Sequence, residues 1–231
     1  MLVVSDDDVC EVVKRLKEAW NIGEDGILSV TDLLESKNIK VVEIKADLSF
    51  DGLSGYVNND ENMPFIVVNK SFDVERLRFT GLHELGHLVM NLPEEMEKKD
   101  KERLCNLFAS EMLISRDIFV DVLGERRSDI SLQELKVLQA VYGISVDALM
   151  FKAKTVGVIS ESKYTSFCIR KNKSLAFKDA VERSSYRGVE ESSRFDRLVY
   201  RALASDMISC SKAAVLLNEP MEEVKNKLEL V

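Results

Sequence analysis

The stretch that decides the reading is Arg76–Leu92, "RLRFTGLHELGHLVMNL", which holds His83 and His87, the two histidines of a 231-residue chain. On an α-helix, positions four apart lie one above the other, so both imidazoles address one point. Two nitrogen donors at that spacing suit a tetrahedral metal ion. Glu84 sits about 100° further round the helix, near such an ion without ligating it, where it can take a proton from a water. The flanking Leu82, Leu85, Leu88 and Val89 are apolar, so the spacing predicts a buried helix whose polar groups face a cleft. Gly86 should let a second backbone segment approach closely.

A catalytic zinc needs a third protein ligand and one open position. With no third histidine, that ligand is Glu, Asp or Cys. The following segment, "ERLCNLFASEML", offers Glu102 and Asn106 on one helix face, with Leu104, Phe108 and Met112 forming the buried stripe. In that arrangement Glu102 coordinates the metal, and Asn106 hydrogen-bonds a histidine and fixes its tautomer. Glu111 is the rival ligand and Cys105 a weaker one. Tyr56 and Tyr142 are the candidate stabilisers of a developing oxyanion. Manganese or iron would also suit these donors.

Composition narrows the surroundings. The net charge is −8, which argues against nucleic-acid binding driven by bulk electrostatics. From position 161 onward 13 basic residues face 11 acidic ones, whereas residues 1–160 hold 19 and 29. Four cysteines, Cys10, Cys105, Cys168 and Cys210, form no CxxC pair and read as reduced thiols of a cytoplasmic protein. The start, "MLVVSDDDVC", is no signal peptide, and no apolar run approaches the ~20 residues that span a bilayer.

Patterning predicts helices over 8–20 and 31–36, strands over 39–46, 53–57 and 65–69, and a polar connection over 58–62. Asn21-Ile22-Gly23 should end the first helix. Asp73 is placed to cap the histidine helix and Pro93 to close it. Ser131 with Glu134 makes a capping box, Gly143 a stop and Ser145 a further cap. The segment 160–190 has no clear assignment, and "RKNK" (170–173) reads as a solvated loop. Segments 194–205, 209–217 and 220–229 read as a three-helix unit. Its last helix opens with Glu222 and Glu223, which would face phosphates unfavourably, so direct DNA binding is not expected. The fold expected is α+β and zincin-like: about three strands packed with the histidine helix over residues 1–125, then a mostly helical region over 126–231 that packs on the first, binds a partner or self-associates.

These pieces together resemble the ImmA/IrrE family of metallo-endopeptidases. The resemblance is carried by "LKEAWNIGEDGI", "LLESKNIKVVEI", "FDGLSGYV", "FIVVN", "RLRFTGLHELGHLV" and "ERLCNLFASEMLIS", across roughly residues 9–155. It implies that His83, His87 and Glu102 bind zinc, that Glu84 is the catalytic base, and that the substrate is a helix-turn-helix repressor of a mobile element or stress regulon. Related genes occur beside such regulators in toxin–antitoxin-like pairs. Gly81-Leu82 and Ser115 depart from the usual pattern, and the N-terminal helix-turn-helix of some members is not seen. The reading from a different class is a regulatory binding protein with a structural or vestigial zinc site.

Overall fold

The computed structural model describes residues 2–57 and 62–228. The polar connection expected over 58–62 therefore lies, Asn62 apart, outside the described residues, as does the end of the helix expected over 220–229. By compactness the chain divides into two units, Met1–Glu190 and Glu191–Val231.

In the first unit, α1 (Asp6–Trp20) starts on a capping box of Ser5 and Asp8. Asn21, in the left-handed conformation, ends it two residues before the expected Gly23; Asn tolerates that conformation. After α2 (Val30–Ser36) come β1 (Lys40–Ile44), β2 (Gly52–Val57) and β3 (Met63–Asn69). They form a mixed sheet in the order β1-β3-β2, with β1 parallel and β2 antiparallel to β3. Central β3 is the apolar one, burying Ile66 and Val68, while β2 lies at an edge. Asn69, fully buried at the end of β3, accepts from Ala46 N and Ser71 N through Oδ1. Its amide nitrogen donates to the carbonyls of Ala46, Asp47 and Phe50. One side chain thus replaces the ladder bonds that the 46–50 turn lacks and fixes where β2 begins.

Two helices follow the sheet, α3 (Val74–Val89) and α4 (Lys98–Leu113). Asp73 precedes α3 in an extended conformation but makes no side-chain cap bond, contrary to expectation. Gly86 of α3 meets the Phe108 ring of α4 rather than a backbone segment. Then come α5 (Arg116–Leu123), α6 (Leu132–Tyr142), α7 (Val146–Thr155), α8 (Glu161–Lys173) and α9 (Leu175–Glu182). Ser115, where the family pattern has proline, caps α5 by accepting from Ile118 N. The Ser131–Glu134 capping box and the left-handed Gly143 stop of α6 are both present. Arg170, Lys171 and Lys173 stand in the last turn of α8, not in a loop. Basic side chains there oppose the negative end of the helix dipole, and Lys171 pairs with Asp147 and Glu182. Residues from α6 to α9, including Leu135, Phe167 and Val181, belong to the same apolar core as α3 and α4. No break in packing therefore marks the boundary expected at 125/126.

The second unit holds α10 (Arg194–Ala204), α11 (Cys210–Leu217) and α12 (Met221–Lys227) around a small core of Val199, Leu203, Ala213, Ala214 and Val224. The described residues include no helix long and apolar enough to cross a membrane.

Arg78 pins α3 in place. Its guanidinium is completely buried and donates to the carbonyls of Ile27, Leu28, Tyr142 and Gly143, to the Tyr186 hydroxyl and to the Glu190 carboxylate. Gly143 combines a φ of 59° with a position where a side chain would collide with that guanidinium, so glycine satisfies both demands. Glu190 also accepts from Val30 N and Thr31 N, in the first turn of α2. Removing one partner from a buried ion pair leaves the other charge uncompensated, at a cost of roughly 3–5 kcal/mol. Arg78→Ala should lower the unfolding free energy by about that amount in a urea titration; a loss under about 1 kcal/mol would show that the pair is dispensable.

Candidate metal centre

The cleft face of α3 is set by helical periodicity: Arg76, Thr80, His83, Glu84 and His87 recur three or four apart and all line one cleft of about 790 Å³. The opposite face, with Arg78, Leu82 and Leu85, is buried. The opposing walls are the 49–54 segment leading into β2, and Glu102 and Asn106 of α4. Strand β2 can lie against α3 because residue 52 is glycine. Any Cβ there would fall 2.7 Å from Thr80 Cγ2 and 2.8 Å from the Val67 carbonyl oxygen. Two residues on, along the same face of the strand, Ser54 Oγ donates to Glu84 Oε2 at 2.7 Å.

Three donor side chains converge. His83 Nε2 lies 3.2 Å from His87 Nε2 and 3.1 Å from Glu102 Oε2, and His87 Nε2 is 3.8 Å from Glu102 Oε1. Ligand atoms about 2.0–2.1 Å from a tetrahedral ion stand roughly 3.3–3.4 Å from one another, which these separations bracket. Asn106 Oδ1 lies 2.9 Å from His83 Nδ1. Because that oxygen only accepts, Nδ1 carries the proton and Nε2 turns its lone pair inward. In the neutral ring, that lone pair and the Glu102 carboxylate are both acceptors in contact. A cation between them removes the repulsion, so the donor set fits a metal ion. Among the described residues, His83, His87 and Glu102 are the one group of His, Cys, Asp and Glu able to hold such an ion.

The other candidates lie elsewhere. Glu111 is buried, paired through Oε1 with Lys152 and accepting from Arg116 N through Oε2 at 2.8 Å. It joins α4 to α7 and to the first residue of α5. Cys105 is completely buried; burial first, and then the charges of Glu102 and Glu84, push its thiol up to about 12. It lies outside the group of converging donors and off the cleft wall. Tyr56 donates to the Leu88 carbonyl at 3.2 Å, beside His87, but does not line the cleft. Tyr142 ends α6 next to Arg78 and likewise lies off the cleft wall. Neither tyrosine is among the residues that line the cleft. Ser54 and Arg76 were not singled out from sequence. Arg76 pairs with Asp51 at 2.6 Å and stacks on Phe72. The two-residue period linking Gly52 to Ser54 was the available signal for the serine.

A cleft with a His-His-Glu donor triangle and a buried carboxylate beside it is the arrangement of a metallopeptidase-type domain. Residues 34–154 match the family model of peptidase M78, described as an IrrE N-terminal-like domain, and the chain belongs to that family. A search of curated proteins gave no match.

The Asn106 contact has a measurable consequence. Loss of a hydrogen bond that orients a ligand histidine typically costs about 10–100-fold in metal affinity. Asn106→Ala should weaken zinc binding by that factor in a chelator competition; unchanged affinity would remove Asn106 from the site.

Proposed function

We propose that this chain is a zinc-dependent endopeptidase that cuts a helix-turn-helix transcriptional repressor in the cytoplasm and so relieves repression of a mobile element or stress regulon. The observation that carries the reading is the donor triangle of His83, His87 and Glu102 with Glu84 held beside it by Ser54. Membership in the peptidase M78 family supports it; the nature of the substrate rests on the resemblance to repressor-cleaving relatives.

His83, His87 and Glu102 would hold a divalent ion, which would supply Lewis-acid polarisation of the scissile carbonyl and a water acidic enough to ionise near neutral pH. The chain's own residues do the rest. Ser54 engages Glu84 Oε2 and leaves Oε1 to take the proton of the attacking water and pass it to the leaving amine. Asn106 keeps His83 in the tautomer that points Nε2 inward. Edge strand β2 offers main-chain groups to an extended substrate segment, which adds as a further strand. Zinc is the metal of this reading, and manganese is accommodated by the same donors. Apolar side chains left exposed on the second unit, Phe195, Leu198, Met207 and Val215, give it a surface for recognising the repressor or a second copy. Acidic Glu222 and Glu223 in the first turn of α12 make DNA a poor partner.

General-base catalysis contributes about 10²–10⁴-fold. Glu84→Gln should therefore retain metal and lose cleavage of a co-expressed repressor by about that factor, followed by mass spectrometry of the products. Cleavage at the wild-type rate would refute the role of Glu84. Metal binding without cleavage by the wild type would leave a regulatory binding protein.

A further inference from the structure

Strand β2 turns alternate side chains to opposite faces. Ile66 and Val68 of β3 are buried, so their register partners Ser54 and Gly52 share the face turned to α3. That inner row is engaged: Ser54 donates to Glu84 and Tyr56 to the Leu88 carbonyl. The outer row is Leu53, Gly55 and Val57, paired with Val67, Phe65 and Met63. Leu53 and Val57 stay 43% and 46% exposed. The Phe65 ring fills the gap between them, so near Gly55 that a Cβ there would stand 3.2 Å from it. An apolar stripe therefore runs beside this edge of the sheet. Edge strands are normally blunted by charge or proline, which discourage a further strand from pairing. At the opposite edge, β1 carries Lys40 and Glu43. The β2 sequence, GLSGYV, holds neither charge nor proline.

We infer that the stripe reads the sequence of the substrate segment added to β2, selecting apolar side chains at the alternate positions that point away from the metal. This rests on the metallopeptidase reading. A strand beside β2 brings every second side chain to about 5 Å from the outer row, Cβ to Cβ. The intervening side chains face the cleft, among Arg76, His83, Glu84 and His87, where polar groups are solvated or paired. Leu53 lines the cleft as well as belonging to the stripe, so the selection extends to the metal centre. Leu53 and Val57 are thereby specificity-determining residues.

The probes are acetohydroxamate and three acetylated tetrapeptide hydroxamates, Ser-Ser-Ser-Ser, Leu-Ser-Leu-Ser and Ser-Leu-Ser-Leu, whose common head anchors the register on the metal. Their affinities for the zinc-loaded full chain are measured by calorimetry. One leucine phase should bind about fivefold tighter than the all-serine peptide, as two apolar cross-strand contacts give. The double variant Leu53→Thr/Val57→Thr should lose that gain, and each single variant part of it, with the circular dichroism of the wild type retained. Val42→Thr, on the same sheet face but two strands away from β2, should keep the gain. All-serine binding without a gain in either phase would overturn the inference and leave the metal centre standing. A gain that survives the double variant would equally overturn it. A gain lost in Val42→Thr would place the peptide across the sheet face rather than along its edge, and so overturn it too. Binding of acetohydroxamate alone would also refute addition to β2. Failure of all four to bind would remove the metal centre itself, and the inference with it.

Discussion

How closely α4 approaches α3 sets the distances from Glu102 to both histidines. The contact is made at Gly86, between the two histidines, where the Phe108 ring lies so near that a Cβ would come within 3.2 Å of it. Phe108 is completely buried, so the ring has no room to retreat in a close-packed interior. Glu102 stands six residues before Phe108 on the same helix, and its carboxylate reaches the histidines because the helices cross at this distance. Metal sites tolerate ligand displacements of only about 0.2 Å. The absence of one side chain at position 86 is thus a condition of the donor triangle.

Two buried ion pairs hold this helix pair in its surroundings. Arg78, five residues before His83, is tied to Glu190, and Glu111, nine residues after Glu102, is tied to Lys152 of α7. A buried pair is weak evidence for net stability, yet breaking one is costly. Such pairs specify which elements must meet. Arg78 joins α3 to residues 27–28, to the end of α6 and to the 186–190 segment. The helices after 125 therefore belong to the machinery that places the histidines, and the compact unit runs to Glu190.

Local physics was legible in the sequence. The spacing of His83 and His87, the alternation in "KVVEI" and "FIVVN", and the Ser131–Glu134 box each act within a few residues, and each appears where the pattern put it. The choice between Glu102 and Glu111 was less legible, because both stand on α4 and only the partner of the second, 41 residues away, withdraws it. The same limit hid Glu190, 112 residues from Arg78. Charged side chains normally read as solvated, and nothing local marks the few that are buried. Helices α8 and α9 escaped assignment because few of their positions reach the core: Phe167 and Val181 are their buried residues. Helix α5 was hidden behind Ser115, noted as a substituted proline when its hydroxyl is the cap. Ser54 was missed because its importance comes from a helix 30 residues away.

The central claim is that His83, His87 and Glu102 form one three-ligand metal site with an open position. The most direct measurement is zinc content per chain by elemental analysis. The protein is stripped of metal, reloaded and freed of excess, for the wild type, Glu102→Ala and Glu111→Gln. About one zinc per chain is expected for the wild type and for Glu111→Gln, since a His₂Glu set holds a single ion, and far less for Glu102→Ala. No zinc on the wild type, or zinc retained by Glu102→Ala and lost from Glu111→Gln, would contradict the account.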